Sequence, residues 1–197
     1  MAVSMESIKE LRAMTGAGMM DVKKTLEETD GDLEKAAALL RERGIAKADK
    51  KADREATEGL IGTYVHHNGK IGVMVELNCE TDFVARNEQF QQLARDLAIH
   101  VAMANPAARS REDLDPDVVE QEREALRAEA KAEGKPDAIV EKMVEGRMNK
   151  YFAETVLLEQ PFVKDEEKTV EALIKEAVAT IGENIQVGAF HRIAIGE

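Results

Sequence analysis

The side chains best suited to chemistry in this sequence are four histidines, one cysteine and 39 carboxylates, and their spacing limits what they can do. His66 and His67 adjoin in a run that alternates like a strand, where neighbours point to opposite faces, so the pair cannot converge on one metal ion. His100 and His191 lie far off, with no carboxylate or thiol cluster at ligand spacing. Cys79, being single, rules out an internal disulfide and any cysteine-rich metal site, and it reads as a small buried apolar residue of a chain from a reducing compartment. No metal or cofactor is expected. Catalytic patterns are equally thin: there is no G-x-S-x-G and no helix bearing H-E-x-x-H. A carboxylate dyad stays open against the plainer reading of a solvated acidic surface. TGAGMMD, residues 15 to 21, sets glycines ahead of a helix start and could cradle an anion, but it lacks the preceding strand and the Lys-Ser/Thr of a phosphate loop. An inter-helix turn that faces a partner through Met19 or Met20, just after Gly18, fits it better.

The remaining candidate is Thr81-Asp82-Phe83-Val84, inside NCETDFVARNE, residues 78 to 88. Two readings are open. Thr81 or Asp82 caps a turn while Phe83 folds back on the preceding hairpin, the ordinary fate of a Phe beside a strand end. Alternatively, a hairpin and a following helix clamp a short turn whose Asp82 and Phe83 project, as an aromatic anchor would enter a pocket on a partner. Aromatic residues are only 4% of the chain with no Trp, so the core must be aliphatic and helix-borne, and Phe83 stands out the more.

The elements around these residues follow from apolar spacing. From Ser4 to Gly44 three short helices are expected, with Met5, Ile8 and Leu11, then Met19, Val22 and Leu26, then Leu33, Ala36, Ala37 and Leu40 inward. Thr15-Gly16-Ala17-Gly18 separates the first two, Gly31 with Asp32 as cap separates the last two, and Gly44 closes the third. KADKKADRE, residues 47 to 55, interleaves Lys and Arg with acids and reads as a solvated helical linker. From Gly59 the period becomes two, and Asn68-Gly69 between β-rich runs predicts a hairpin with a two-residue type I′ turn. Leu60, Gly62 and Tyr64 then share a face with Ile71, Val73, Val75 and Leu77, while Ile61, Val65 and Met74 give the other face apolar character that a further layer could cover. Asn87 caps a helix to Asn105-Pro106 with Phe90, Leu93, Leu97, Val101 and Ala104 inward. Asp115-Pro116 and Lys135-Pro136 start two more helices. Thr169 to Gly182 is helical again, and QVGAFHRIAI, residues 186 to 195, is a last strand that joins the hairpin in a three-stranded sheet.

Lys plus Arg is 27 against 39 Asp plus Glu, a net charge of -12, which speaks against direct binding of nucleic acid or of anionic membrane. No run approaches the ~20 apolar residues of a membrane span, and the N-terminus carries no basic-then-apolar signal. A cytoplasmic protein is expected.

TDFVARNE, residues 81 to 88, strongly resembles the signature of bacterial elongation factor Ts, the guanine-nucleotide exchange factor family for elongation factor Tu. LRAMTGAGMMDVKKTLEE (11 to 28), KADREATEGLIG (51 to 62), VELNCETDFVARNE (75 to 88) and LLEQPFVKD (157 to 165) look like further blocks of that family, in order along nearly the whole chain. The resemblance implies an α+β fold: a ubiquitin-associated-like three-helix module (1–45), a linker (46–58) and a core (59–197) with a three-stranded antiparallel sheet packed with helices. It also implies that Thr81, Asp82, Phe83 and Val84 displace magnesium from elongation factor Tu, with Phe83 wedged near the nucleotide site, while the module around Gly18, Met19 and Met20 holds the partner's nucleotide-binding domain. The partner would be engaged both GDP-bound and nucleotide-free, without catalytic chemistry in this chain. Many family members have two core subdomains and a coiled-coil excursion; this chain resembles the short form with one hairpin. That form implies a homodimer joined through the core sheets, and it leaves residues 115–155 as a remnant of the excursion.

Overall fold

The computed structural model describes residues 3–197. In chain order the elements are α1 (Met5–Thr15), α2 (Met19–Glu28), α3 (Leu33–Asp49), β1 (Glu58–Val65), β2 (Ile71–Cys79), α4 (Asp82–Ala85), α5 (Glu88–Ala104), α6 (Pro116–Ala132), α7 (Asp137–Thr155), β3 (Pro161–Phe162), β4 (Asp165–Thr169), α8 (Val170–Ile181) and β5 (Ile185–Ala194). The fold is α+β. β1, β2 and β5 form a three-stranded antiparallel sheet with β2 in the middle, and β3 pairs with β4. The chain divides into two compact units: one takes residues up to Ile61, Glu76–Ala94 and Ala172–Gly188, the other Gly62–Val75, Arg95–Glu171 and Ala189–Glu197.

In the first unit, local capping sets the helix ends. The Ser4 hydroxyl accepts from Ser7 N–H at 3.0 Å and the Asp32 carboxylate from Lys35 N–H at 3.0 Å, each satisfying a donor that the first turn would otherwise leave unpaired. Ile8, Leu11, Val22, Leu26, Ala36 and Leu40 form the core of α1–α3, with Leu33 and Ala37 partly buried against it. Met5 and Met19, expected inward, are exposed. Met19 shares the angular position of Leu26, but it is the first residue of α2, seven residues and about 10 Å along the axis from that buried residue.

Gly44 does not end α3, which continues to Asp49. A Cβ at Gly44 would lie 3.1 Å from the Ala179 Cβ on α8, so this glycine serves a close approach of two helices. Arg41–Glu176 at 3.5 Å and Lys175–Asp49 at 2.9 Å flank the contact, and Lys51 Nζ donates to Gly182 C=O at 2.6 Å. Residues 47–49 of the expected linker thus lie in α3, with Ala48 buried.

The hairpin forms, but not through a type I′ turn. His66 N–H donates to Ile71 C=O at 2.9 Å and Gly69 N–H to His66 C=O at 2.8 Å, so the reversal runs over residues 67–70. Gly69 takes a positive φ of 69° while Asn68 does not; the Asn68 side chain instead accepts from Lys70 N–H at 2.9 Å, a local bond that favours a right-handed turn conformation. Because β1 ends at Val65, strand alternation does not reach His66 and His67. Their rings lie 4.2 Å apart, and Tyr64 Oη sits 2.9 Å from His66 Nδ1.

In the second unit, α7 buries Val140, Val144, Met148 and Phe152, one residue per turn, in a cluster with Ala130 and Val156. The helices that carry mostly charge in sequence therefore own a small core. Asp115 caps α6 with Pro116 in its first turn, and Gly134 follows its end at φ 72°. α5 contributes His100, which is fully buried. Val163 N–H donates to its Nδ1 at 3.3 Å, so the neutral ring carries its proton on Nε2 and donates to Gln160 Oε1 at 2.9 Å. Gln160 in turn donates to the Ala104 and Glu154 carbonyls at 3.3 and 2.7 Å. Burial pushes the His100 pKa below its ordinary value. Among the described residues no helix is long and apolar enough to cross a membrane.

Candidate functional site

β2 delivers the chain to its candidate site through a buried end. Cys79 is fully buried and its thiol donates to Thr81 C=O at 3.2 Å; burial, then the nearby Glu183 charge, push its pKa up. The thiol is thus a packed group, unsuited to nucleophilic work. Thr81 is extended (φ -133°, ψ 154°), and its Oγ1 accepts from Val84 N–H at 3.4 Å, capping the single turn of α4. Asn87 Oδ1 then accepts from Gln89 N–H at 2.8 Å, starting α5.

α4 therefore lies between two side-chain caps, Thr81 before it and Asn87, which starts α5, after it. Phe83 is 79% exposed. This disposes of the reading in which Phe83 folds back on the hairpin. Asp82 and Val84 are half-buried, and the Asp82 carboxylate accepts from Arg86 Nη2 at 2.9 Å, a surface pair one helical turn apart. Such a pair contributes roughly 0–1 kcal/mol, so Asp82 is not a structural keystone.

The second set of residues lies at the start of α2. Gly18 is the N-cap, without a side-chain hydrogen bond, and Met19 and Met20 are both exposed. Thr81–Val84 and Gly18–Met20 are thus two surface patches of the first unit. The described residues hold no group of three or more His, Cys, Asp or Glu able to bind a metal ion.

Groups far along the chain hold the turn from behind. Glu183 accepts from the N–H groups of Glu80 and Thr81 and from the Thr81 hydroxyl, while Glu80 accepts from Asn184 N–H and from Arg54. Spacing gave no hint of these residues. A carboxylate between a helix and a strand is common in a chain so acidic, and its partners stand 102 and 103 positions away.

A family model described as "Elongation factor TS" matches residues 2–197. The chain belongs to the elongation factor Ts family. The curated elongation factor Ts of Thermosipho melanesiensis is 56% identical over 195 residues, 99% of this chain and 100% of that protein. The elongation factor Ts of Geotalea uraniireducens is 54% identical over 197 residues, 100% of this chain and 91% of that protein. That of Nitratidesulfovibrio vulgaris is 52% identical over 196 residues, covering 98% of its length. Elongation factor Ts proteins are translation elongation factors, and the three-helix start and three-stranded sheet seen here are consistent with that family.

Proposed function

We propose that this protein is a guanine-nucleotide exchange factor that binds elongation factor Tu in its GDP form, displaces magnesium and speeds GDP release so that GTP can bind. The observation that carries the reading is Phe83. Of five Phe residues it alone is exposed, the other four being buried or half-buried. A large aromatic held out to solvent on a turn whose backbone is capped by Thr81 is already placed for a partner, so less backbone ordering is left to the binding step.

Exchange of this kind requires no bond-making by the factor. It is a coupling free energy between two ligands of one partner: if the factor weakens GDP binding, GDP weakens the factor's binding equally. Tight nucleotide binding rests on magnesium offsetting phosphate charge. Thr81–Val84, with Phe83 leading, would disturb that shell, and the exposed Met19 and Met20 beside Gly18 would hold the nucleotide-binding domain and offset the cost of distortion. Release after GTP entry lets the factor act repeatedly, without catalytic chemistry or a cofactor of its own.

We further propose that the protein works in the cytoplasm as a homodimer joined through its core sheets, for which the exposed Val65, Met74 and Ile193 supply apolar surface. The net charge of -12 favours a protein partner over nucleic acid or membrane. Stopped-flow release of fluorescent GDP from elongation factor Tu tests the central reading. Acceleration by this protein, and its loss in a folded Phe83→Ala variant, is the expected result. Absence of acceleration by the unmodified protein would leave the three-helix module as an adaptor for some other protein.

A further inference from the structure

The turn that presents Phe83 is too short to hold itself. α4 has four residues, and a single helical turn fixes several backbone dihedrals for very few hydrogen bonds. Its geometry must come from outside, and the contacts that supply it converge on one loop.

Glu183 Oε2 accepts from Glu80 N–H at 3.1 Å and from Thr81 N–H at 3.0 Å, while Oε1 accepts from the Thr81 hydroxyl at 2.7 Å. The next residue answers. Asn184 N–H donates to Glu80 Oε1 at 2.6 Å, which also accepts from Arg54 Nη1 at 3.4 Å. The buried Asn184 amide then donates to the carbonyls of Ala52 and Arg54 at 3.2 and 2.7 Å. The two corners thus exchange backbone N–H groups for each other's carboxylates, and a third strand of chain is tied in. Bonds to an ionised carboxylate are the stronger kind. Because the Thr81 hydroxyl spends its proton on Glu183, its oxygen faces Val84 N–H as an acceptor, which is what caps α4.

We infer that Glu183 is the positioning residue of the exchange turn: its carboxylate orients Thr81, and through Thr81 the direction in which Phe83 leaves the surface. The functional part of this inference rests on the exchange reading above; the structural part does not. Glu183 itself does not touch the partner in this account, so its effect on exchange must pass through Phe83.

The chain has no Trp, so Phe83→Trp places a single fluorescent reporter on the turn. The test compares time-resolved anisotropy of that reporter, and amide hydrogen exchange at Thr81 and Val84, with and without Glu183→Ala in the full chain. Loss of charge-assisted bonds predicts exchange at both amides faster by about tenfold, with Leu97 in α5 unchanged, and a new fast depolarising component for the reporter. In the GDP-release assay, Glu183→Ala should cut the acceleration by about tenfold with Phe83 present but by less than about twofold in a Phe83→Ala background, as coupled residues do. Glu183→Gln keeps an oxygen for the two N–H groups but turns a donor toward the Thr81 hydroxyl, so its effect should be intermediate; should Glu183→Ala not fold, this variant decides. Unchanged amide exchange at Thr81 and Val84, or an equal loss of activity in both backgrounds, would overturn the inference. If the unmodified protein fails to release GDP, the exchange reading falls, while the amide and anisotropy data still judge the clasp.

Discussion

Phe83 carries a prediction that separates an anchor from a core residue. A buried Phe replaced by Ala would cost roughly 3–5 kcal/mol of stability. At 79% exposure no cavity opens, so Phe83→Ala should change unfolding free energy by less than about 0.5 kcal/mol. The same variant should lose exchange worth about 1–3 kcal/mol of transition-state binding. Chemical denaturation beside stopped-flow GDP release measures both; a large loss of stability would return Phe83 to the core.

Two features belong to the scale of the element. The first is the α3–α8 contact at Gly44, where a Cβ would stand 3.1 Å from that of Ala179. Gly44→Val adds branched bulk at a place with no room, and despite the better helix propensity of Val it should cost about 1–3 kcal/mol, measurable as a lowered urea midpoint. The second is His100 on α5, held neutral by a donor at Nδ1 and an acceptor at Nε2. Its pKa lies below the ordinary 6.5 through burial, with the Gln160 bond opposing. Below pH 6.5 the unfolded chain therefore binds a proton that the folded chain refuses. Stability should fall as pH drops from 6.5 toward the folded pKa, with a slope of at most about 1.4 kcal/mol per pH unit from this residue. Melting curves across that range check it, and His100→Asn should flatten the slope attributable to this group.

For the whole molecule, the question is the exposed apolar side chains on the sheet. Val65, Met74 and Ile193, one on each strand of the sheet, are exposed, and a sheet-joined dimer would bury them. Sedimentation equilibrium should give a mass of twice the 21.7 kDa chain. Met74→Glu, which puts a charge on the apolar surface that a sheet-joined dimer would bury, should shift it to monomer while leaving the far-ultraviolet spectrum intact. A monomeric unmodified protein at tens of micromolar would remove the dimer from the proposal.

The sequence by itself determined the helices of the N-terminal module, the hairpin, α5, α8 and the last strand, because apolar spacing and caps such as Asp32 and Asp115-Pro116 act within a few residues of where they stand. It also determined the family, through blocks spread along the chain. Legibility ended where distant residues decide. Met19 repeats the phase of Leu26 yet lies outside the core, since periodicity reports an angle and not how far the neighbouring helices reach. Gly44 has the composition of a helix stop and is a packing notch, a distinction made by Ala179. β3 and β4 are short, and DEEKT carries no alternation, so their pairing had no local signal. Whether Phe83 folded back or projected was open in sequence because either fits a strand end. Tertiary structure decided it: Phe83 is exposed on a turn capped by Thr81, whose hydroxyl and N–H are bonded to Glu183, 102 residues away.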